Sequence, residues 1–236
     1  MPLLSSLLSL LLLVSPLLQL GMPWPGPGTA HSASGALTIT FVQSTGNFAS
    51  TGTTTNKAYT SSTTAGHLLI GIVISYNASD TPVITDSQTN TWSTAATFSG
   101  SPVLTMKMTI FYLANCPGGA DTVTGSWASS AGGELHIAEF AGAAASSPLD
   151  QTGDGSNASG PTATTSSMTP SVNGELIVGY CGIIATGSIG SGWTLITSQD
   201  GDLSEFKIQT TATPVQATWN SSSGWAAIGA TFKPGP

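Results

Sequence analysis

The chain repeats itself. Gly66-His-Leu-Leu-Ile-Gly71 returns as Gly174-Glu-Leu-Ile-Val-Gly179, and Gln43-Ser-Thr-Gly46 returns as Gln151-Thr-Gly153, both shifted by 108 residues. Trp92 then matches Trp193, Met106-Lys107-Met108 matches Phe206-Lys207-Ile208, Trp127 matches Trp219 and Phe140 matches Phe232. The order is kept and the offset falls only across loops. Such a series marks an internal duplication, with halves at residues 36–142 and 143–234. Whatever one half folds into, the other is expected to copy.

The stretch from Val103 to Gly142 sets the class. Leu104, Met106, Met108, Ile110 and Tyr112 alternate with Thr105, Lys107 and Thr109, the period of two of a half-buried strand. Phe111 and Leu113 break the alternation, so cover on both faces is expected there. Cys116-Pro-Gly-Gly forces a turn, and strands are expected at Thr122 to Trp127 and at Glu134 to Phe140. Upstream, Ala36 to Gln43 alternates, an edge strand is expected around Asn56 to Thr60, and short strands at Val83 to Thr85 and from Trp92. Gly66 to Tyr76 is apolar on both faces, which suits a central strand buried between layers.

The expected fold is therefore all-β: a two-layer antiparallel β-sandwich, jelly-roll or concanavalin-like, built from two duplicated halves. A single sandwich over residues 33–236, each half lending strands to both sheets, is preferred to two tandem Ig-like units. Runs as apolar as Gly66 to Tyr76 and Glu175 to Ile184 need cover on both faces.

Composition excludes several classes. Charged residues make up 6% of the chain, against about 25% in an average globular protein; hydroxyl and small residues replace them, and long helices lack their usual building blocks. A net charge of −7 with four Lys and no Arg argues against nucleic acid, which needs a basic footprint. Two cysteines without CxxC exclude a zinc ribbon or a redox dithiol. A Cys116–Cys181 disulfide competes with the favoured reading of two small buried hydrophobes. Residues 1–32 hold an apolar run broken by serines and Pro16, followed by Ala30-His31-Ser32. This reads as a signal peptide, and export to the extracellular space is expected; an uncleaved anchor and a start at Met22 are the rivals.

Asp86-Ser-Gln-Thr-Asn90-Thr-Trp92 and Ile137-Ala-Glu139-Phe-Ala-Gly142, together with AGHLLIG and SPLDQTG, resemble a β-sandwich module of secreted bacterial and phage-associated proteins. That module carries D-S-x-G-N-T-[WY] and I-A-E-[YF]-[SA]-G; this chain departs from it at Thr89, where glycine is expected. The resemblance covers about residues 36–234 and implies a jelly-roll-like fold in an extracellular or virion setting. It implies no reaction. Glu134-Leu-His136-Ile-Ala-Glu139 also resembles the E-x-D-x-x-E strand of laminarinase-type glycoside hydrolases, whose two glutamates are nucleophile and acid/base. His136 replaces the central aspartate, and alternation puts Glu134 and Glu139 on opposite faces unless a bulge intervenes. The competing reading makes Glu139 a structural carboxylate bonded to a turn, with Glu134 and His136 facing solvent.

Asp86 and Asn90, or Asp200 and Asp202, offer oxygen donors to Ca²⁺ but too few to fill its shell without backbone help; an Asx-turn is the competing reading. No other cofactor is implied. Trp225 has no counterpart in the first half, its shifted partner being Gly133, and it follows the loop Asn220-Ser-Ser-Ser-Gly224. An exposed Trp225 beside Asn220 would stack on a sugar; a Trp packed at a strand start is the alternative. The expected function is a secreted, non-catalytic module that attaches to a glycan or cell-surface polymer. The alternatives are a structural subunit of a filament or virion, self-assembling through strand addition, and a glycoside hydrolase using Glu134 and Glu139.

Overall fold

The protein is described as a computed structural model over residues 37–100 and 102–236. Residues 1–32, expected to be a signal peptide, lie outside those residues. The first half contributes β1 (Thr40–Ala49), β2 (Thr54–Ala58), β3 (Leu68–Ser75), β4 (Val83–Asp86), β5 (Ser93–Ser99), β6 (Lys107–Leu113), β7 (Thr122–Ser126) and β8 (Gly133–Ala141). The second contributes β9 (Leu149–Asn157), β10 (Thr162–Thr164), β11 (Glu175–Ile183), β12 (Gly187–Ile189), β13 (Thr194–Gln199), β14 (Asp202–Gln209), β15 (Thr218–Ser221) and β16 (Trp225–Phe232).

All ladders between these strands are antiparallel, and the topology is duplicated strand for strand. The first half forms a five-stranded sheet, β1-β8-β3-β6-β5, and a three-stranded sheet, β2-β7-β4; the second forms β9-β16-β11-β14-β13 and β10-β15-β12. Each half is thus an eight-strand jelly roll whose fifth strand has joined the larger sheet. Even the irregularities recur: a bulge between Thr94 and Ala96 of β5 is repeated between Leu195 and Thr197 of β13.

The all-β antiparallel sandwich of two duplicated halves is what the chain forms. The strand exchange expected between the halves does not occur, because every sheet draws on one half alone. The cover that the apolar central strands require comes instead from stacking. Leu69 and Val73 of β3 point with Ile84, Val123 and Trp127 into a core between the two sheets of the first half. Ile70, Ile72 and Ile74 point the other way, with Met108, Ile110 and Phe140, onto Leu176, Val178, Phe206, Ile228 and Phe232 of the second half. Ile177, Cys181, Leu203, Trp219 and Trp225 fill the outer core of the second half. The layers run three, five, five and three strands, and the seam between the five-stranded sheets is the largest of the three cores. Cys116 and Cys181 lie buried in different outer cores with free thiols, so the disulfide reading does not hold.

Registers correct two of the repeat matches. Ile70 pairs with Tyr112 and its counterpart Val178 with Phe206, so Phe206 corresponds to Tyr112 and not to Met106. Thr55 pairs with Gly125 and its counterpart Ala163 with Trp219, so Trp219 corresponds to Gly125 and not to Trp127.

The Asp86 to Trp92 turn explains the departure at residue 89. Thr89 sits at φ 59°, a left-handed conformation that costs a residue with a Cβ about 1–2 kcal/mol. Thr89→Gly should therefore raise stability by about 0.5–1 kcal/mol after the extra chain entropy of glycine is subtracted. Urea denaturation measures this, and a loss of stability would mean that the Thr89 side chain holds the turn.

Candidate functional site

Four polar sites stand out, two buried and two open. The first is at one end of the seam. Along β8, Glu134 and His136 share the face of Ala138 and Phe140; along β14, Asp202 and Ser204 share the face of Phe206. The period of two that builds the apolar seam therefore drives these four polar side chains into it. Glu134, His136 and Ser204 are 0% exposed, so the expectation that Glu134 and His136 face solvent is overturned. The Tyr76 hydroxyl donates to Glu134 Oε1 at 2.5 Å, and the Tyr180 hydroxyl lies 3.2 Å from Glu134 Oε2 and 2.9 Å from Asp202 Oδ2. His136 Nε2 meets Glu134 Oε2 at 2.8 Å and His136 Nδ1 meets the Ser204 hydroxyl at 2.9 Å. The Ile183 amide donates to Asp202 Oδ1 at 2.8 Å.

Burial governs the protonation of this cluster. It pushes Glu134 up to about 7, against the hydrogen bonds from Tyr76 and Tyr180, and it pushes Asp202 up to about 8, helped by the charge of Glu134. It pushes His136 down to about 4. Glu134, His136 and Ser204 have the connectivity of an acid–base–nucleophile triad. All three side chains are sealed from solvent, and none lines either of the two polar clefts described below. The cluster joins the halves, His136 on β8 bonding Ser204 on β14.

The second site ties a loop to the first half. Glu139, also 0% exposed, faces away from the seam. Its Oε1 accepts the Thr64 amide at 2.8 Å and meets His67 Nδ1 at 2.6 Å; its Oε2 accepts Gln43 Nε2 at 2.6 Å. Gln43 in turn grips Ser61 by both backbone groups, Nε2 to O at 3.1 Å and N to Oε1 at 3.0 Å. Glu134 and Glu139 thus sit on opposite faces of β8, both sealed from solvent. They do not form the facing carboxyl pair that retaining hydrolysis requires.

The third site is open. A cleft of about 340 Å³ beside β2 and β7 is lined by Tyr59, Thr60, Ser61, Ser62, Ser87, Asp121 and Thr122. Gln43 fixes its Thr60–Ser61 wall, and the Ser87 hydroxyl fixes Asp121 Oδ1 at 3.0 Å. Burial, then the charge of Asp86, raises the pKa of Asp121. A second cleft of about 300 Å³ lies on β12 and β15, lined by Thr186, Ser188, Asn220, Ser221 and Ser222. Asn220, expected in a loop, is part of β15, its amide donates to the Ser188 hydroxyl at 3.0 Å, and it lines this cleft.

Trp225 does not. It is 5% exposed, pairs with Ile183 and Asn157, and packs in the outer core, so its ring is not presented to a sugar. Nor do Asp86 and Asn90 make a cation site. Asp86 Oδ1 accepts the amides of Gln88 and Asn90, and Oδ2 accepts Asn90 Nδ2 and Trp92 Nε1, the pattern of an Asx-turn. Asp200 and Asp202 are divided between the surface and the seam. Among the described residues no group of three or more His, Cys, Asp or Glu is placed to hold a metal.

Sequence reasoning passed over Ser87, Asp121, Tyr76 and Ser204, and it read Asp202 only as an oxygen donor for Ca²⁺. For the seam a signal existed: Asp202, Ser204 and Phe206 alternate, as do Glu134, His136 and Ala138, which places polar groups at inward positions. The cleft residues carry no pattern beyond being hydroxyl-rich turns. No protein-family model, curated protein or solved structure matches the chain.

Proposed function

We propose that the chain is an exported, non-catalytic binding module for neutral polyhydroxylated ligands, attaching to a glycan or cell-surface polymer. The observation that carries this reading is the first cleft: five hydroxyl side chains beside Tyr59 and one carboxylate, with no cationic side chain in its lining. Hydroxyls and a carboxylate pair with sugar hydroxyls, and the acidic lining disfavours anionic ligands. The second cleft offers Asn220 and hydroxyls of the same kind. Single-site affinity in such shallow clefts is weak, on the order of 0.1–1 mM. Two clefts on one chain, facing a repeating polymer, raise retention through avidity.

The test is retention of residues 33–236 on insoluble polysaccharides, followed by a glycan array. Ser61 and Ser62 are exposed, so Ser61→Ala with Ser62→Ala truncates no core side chain and gives up one bond inward, from the Ser61 hydroxyl to Gln43 Oε1 at 3.2 Å. That double substitution should lower retention several-fold, and adding Asn220→Ala should lower it further. Binding to acidic but not neutral glycans would overturn the reading, as would retention indifferent to all three changes.

A further inference from the structure

The seam is polar at one end only. By the registers, Glu134 and His136 correspond to Ala226 and Ile228, while Ser204 corresponds to Ile110. The duplication would place a second copy of the cluster at the opposite end, and apolar side chains stand there instead. The polar end breaks the symmetry of the duplication, and the layering alone does not require it.

Its chemistry is lopsided. Glu134 and Asp202 reach in from opposite halves and share the Tyr180 hydroxyl. Among the described residues, the salt-bridge contact to this cluster is His136 to Glu134, and burial disfavours the charged imidazolium. Two buried carboxylates with one reluctant cation cannot both stay ionised cheaply. A hydrogen-bonded path leads out: Tyr76, half-buried at the end of β3, bonds Glu134 and also reaches Asp200 on the surface at 3.2 Å. The titratable groups facing the cluster are Tyr76 after β3, Glu134 and His136 on β8, Tyr180 on β11, Asp200 in the β13–β14 turn and Asp202 on β14.

We infer that this end of the seam is a proton-operated latch: with Glu134 and Asp202 protonated the two halves close over it, and loss of those protons loosens the β8–β14 end. In the protonated form each carboxyl can donate as well as accept, so the Tyr180, His136 and Asp202 bonds are all satisfied without net charge. In the ionised form two negative charges meet across the interface. The sign follows from the shifts. Glu134 at about 7 and Asp202 at about 8 in the folded chain, against 4.5 and 3.8 unfolded, contribute stability that is full below the unfolded values and lost as pH rises through the folded ones. His136 acts oppositely, its contribution being present above 6.5 and lost as pH falls to about 4. Above pH 6.5 the two carboxyls act without it.

Two measurements test the latch. Infrared spectra of the wild-type chain in heavy water at pH 6–7 should show a protonated-carboxyl stretching band that shrinks in Glu134→Gln and in Asp202→Asn. Absence of that band in the wild type overturns the proposal without any variant. Second, the wild-type folding constant should fall as pH rises from 6.5 to about 8, by up to about tenfold per pH unit for each proton that the folded chain still holds in excess, and level off above that. Amide exchange should rise first in β8 and β14. Glu205, buried in the outer core and raised to about 8, titrates in the same range, so Glu205→Gln serves as the background. Relative to that background, Glu134→Gln and Asp202→Asn should each flatten the slope. Slopes equal to wild type in both would overturn the latch.

Discussion

Trp225→Ala should cost about 3–5 kcal/mol of stability, the range for truncating a large aromatic in a packed core, and should leave polysaccharide retention intact wherever the chain stays folded. The indole sits at the start of β16 among Ile183, Leu203 and Trp219. Gly155 on the neighbouring strand lies against the ring, where an added Cβ would be in ordinary contact with it at 3.5 Å. No hydrogen-bond partner for the Trp225 N–H stands among the described residues, so Trp225→Phe should lose far less, about 1 kcal/mol. Urea denaturation of the two variants separates volume from hydrogen bonding. Abolished retention with an unchanged denaturation midpoint would return Trp225 to the binding surface.

The reason this residue misled the sequence reading is instructive about duplications. Trp225 corresponds to Gly133, and at Gly133 a Cβ would lie 2.9 Å from the Trp127 ring. Trp127 therefore covers the place in the first half that Trp225 fills in the second. The same core volume is filled from β16 in one half and from the end of β7 in the other. A linear match sees an unpaired Trp; only the packing shows two solutions to one requirement. The match of Trp127 with Trp219 failed for the same reason, because an aromatic ring can reach one core from several strand positions.

What was legible followed from backbone period and turn chemistry. The alternation of Met106, Met108 and Ile110 named the seam face of β6, and Phe111 and Leu113 named its opposite, outer-core face. The two-sided runs at β3 and β11 announced central strands. Asp86 and Asn90 announced their turn. The layering was not legible, because a two-sided strand demands cover without saying which half supplies it. The carboxylates were not legible either: whether Glu134 meets water or Asp202 depends on what stacks above β8. The open clefts depend on loop paths, which Ser, Thr and Gly leave almost unmarked.

The seam also predicts how the halves behave apart. Each half contains its own complete ladders, so the fragments 37–146 and 147–236 should form their strands, yet each would expose the seam face of its five-stranded sheet. The junction is open to cutting, since residues 145–147 are exposed. Beyond it the C-terminal tail returns to the first half, Leu37 N donating to Gly235 O and Gly235 N to Gly142 O. Because the halves share one topology, either fragment could pair with a second copy of itself through the same face. The polar end decides against that. In a pair of first halves, Glu134 and His136 would face Met108 and Ile110, and in a pair of second halves Asp202 and Ser204 would face Ala226 and Ile228. Each such pair buries unpartnered polar groups twice, at several kcal/mol. The fragments should therefore be aggregation-prone alone. Mixed at slightly acidic pH, they should form a one-to-one complex that melts cooperatively and sediments as a single species. A first-half homodimer as tight as the mixed pair would show that Glu134 and Asp202 do not set partner choice across the seam.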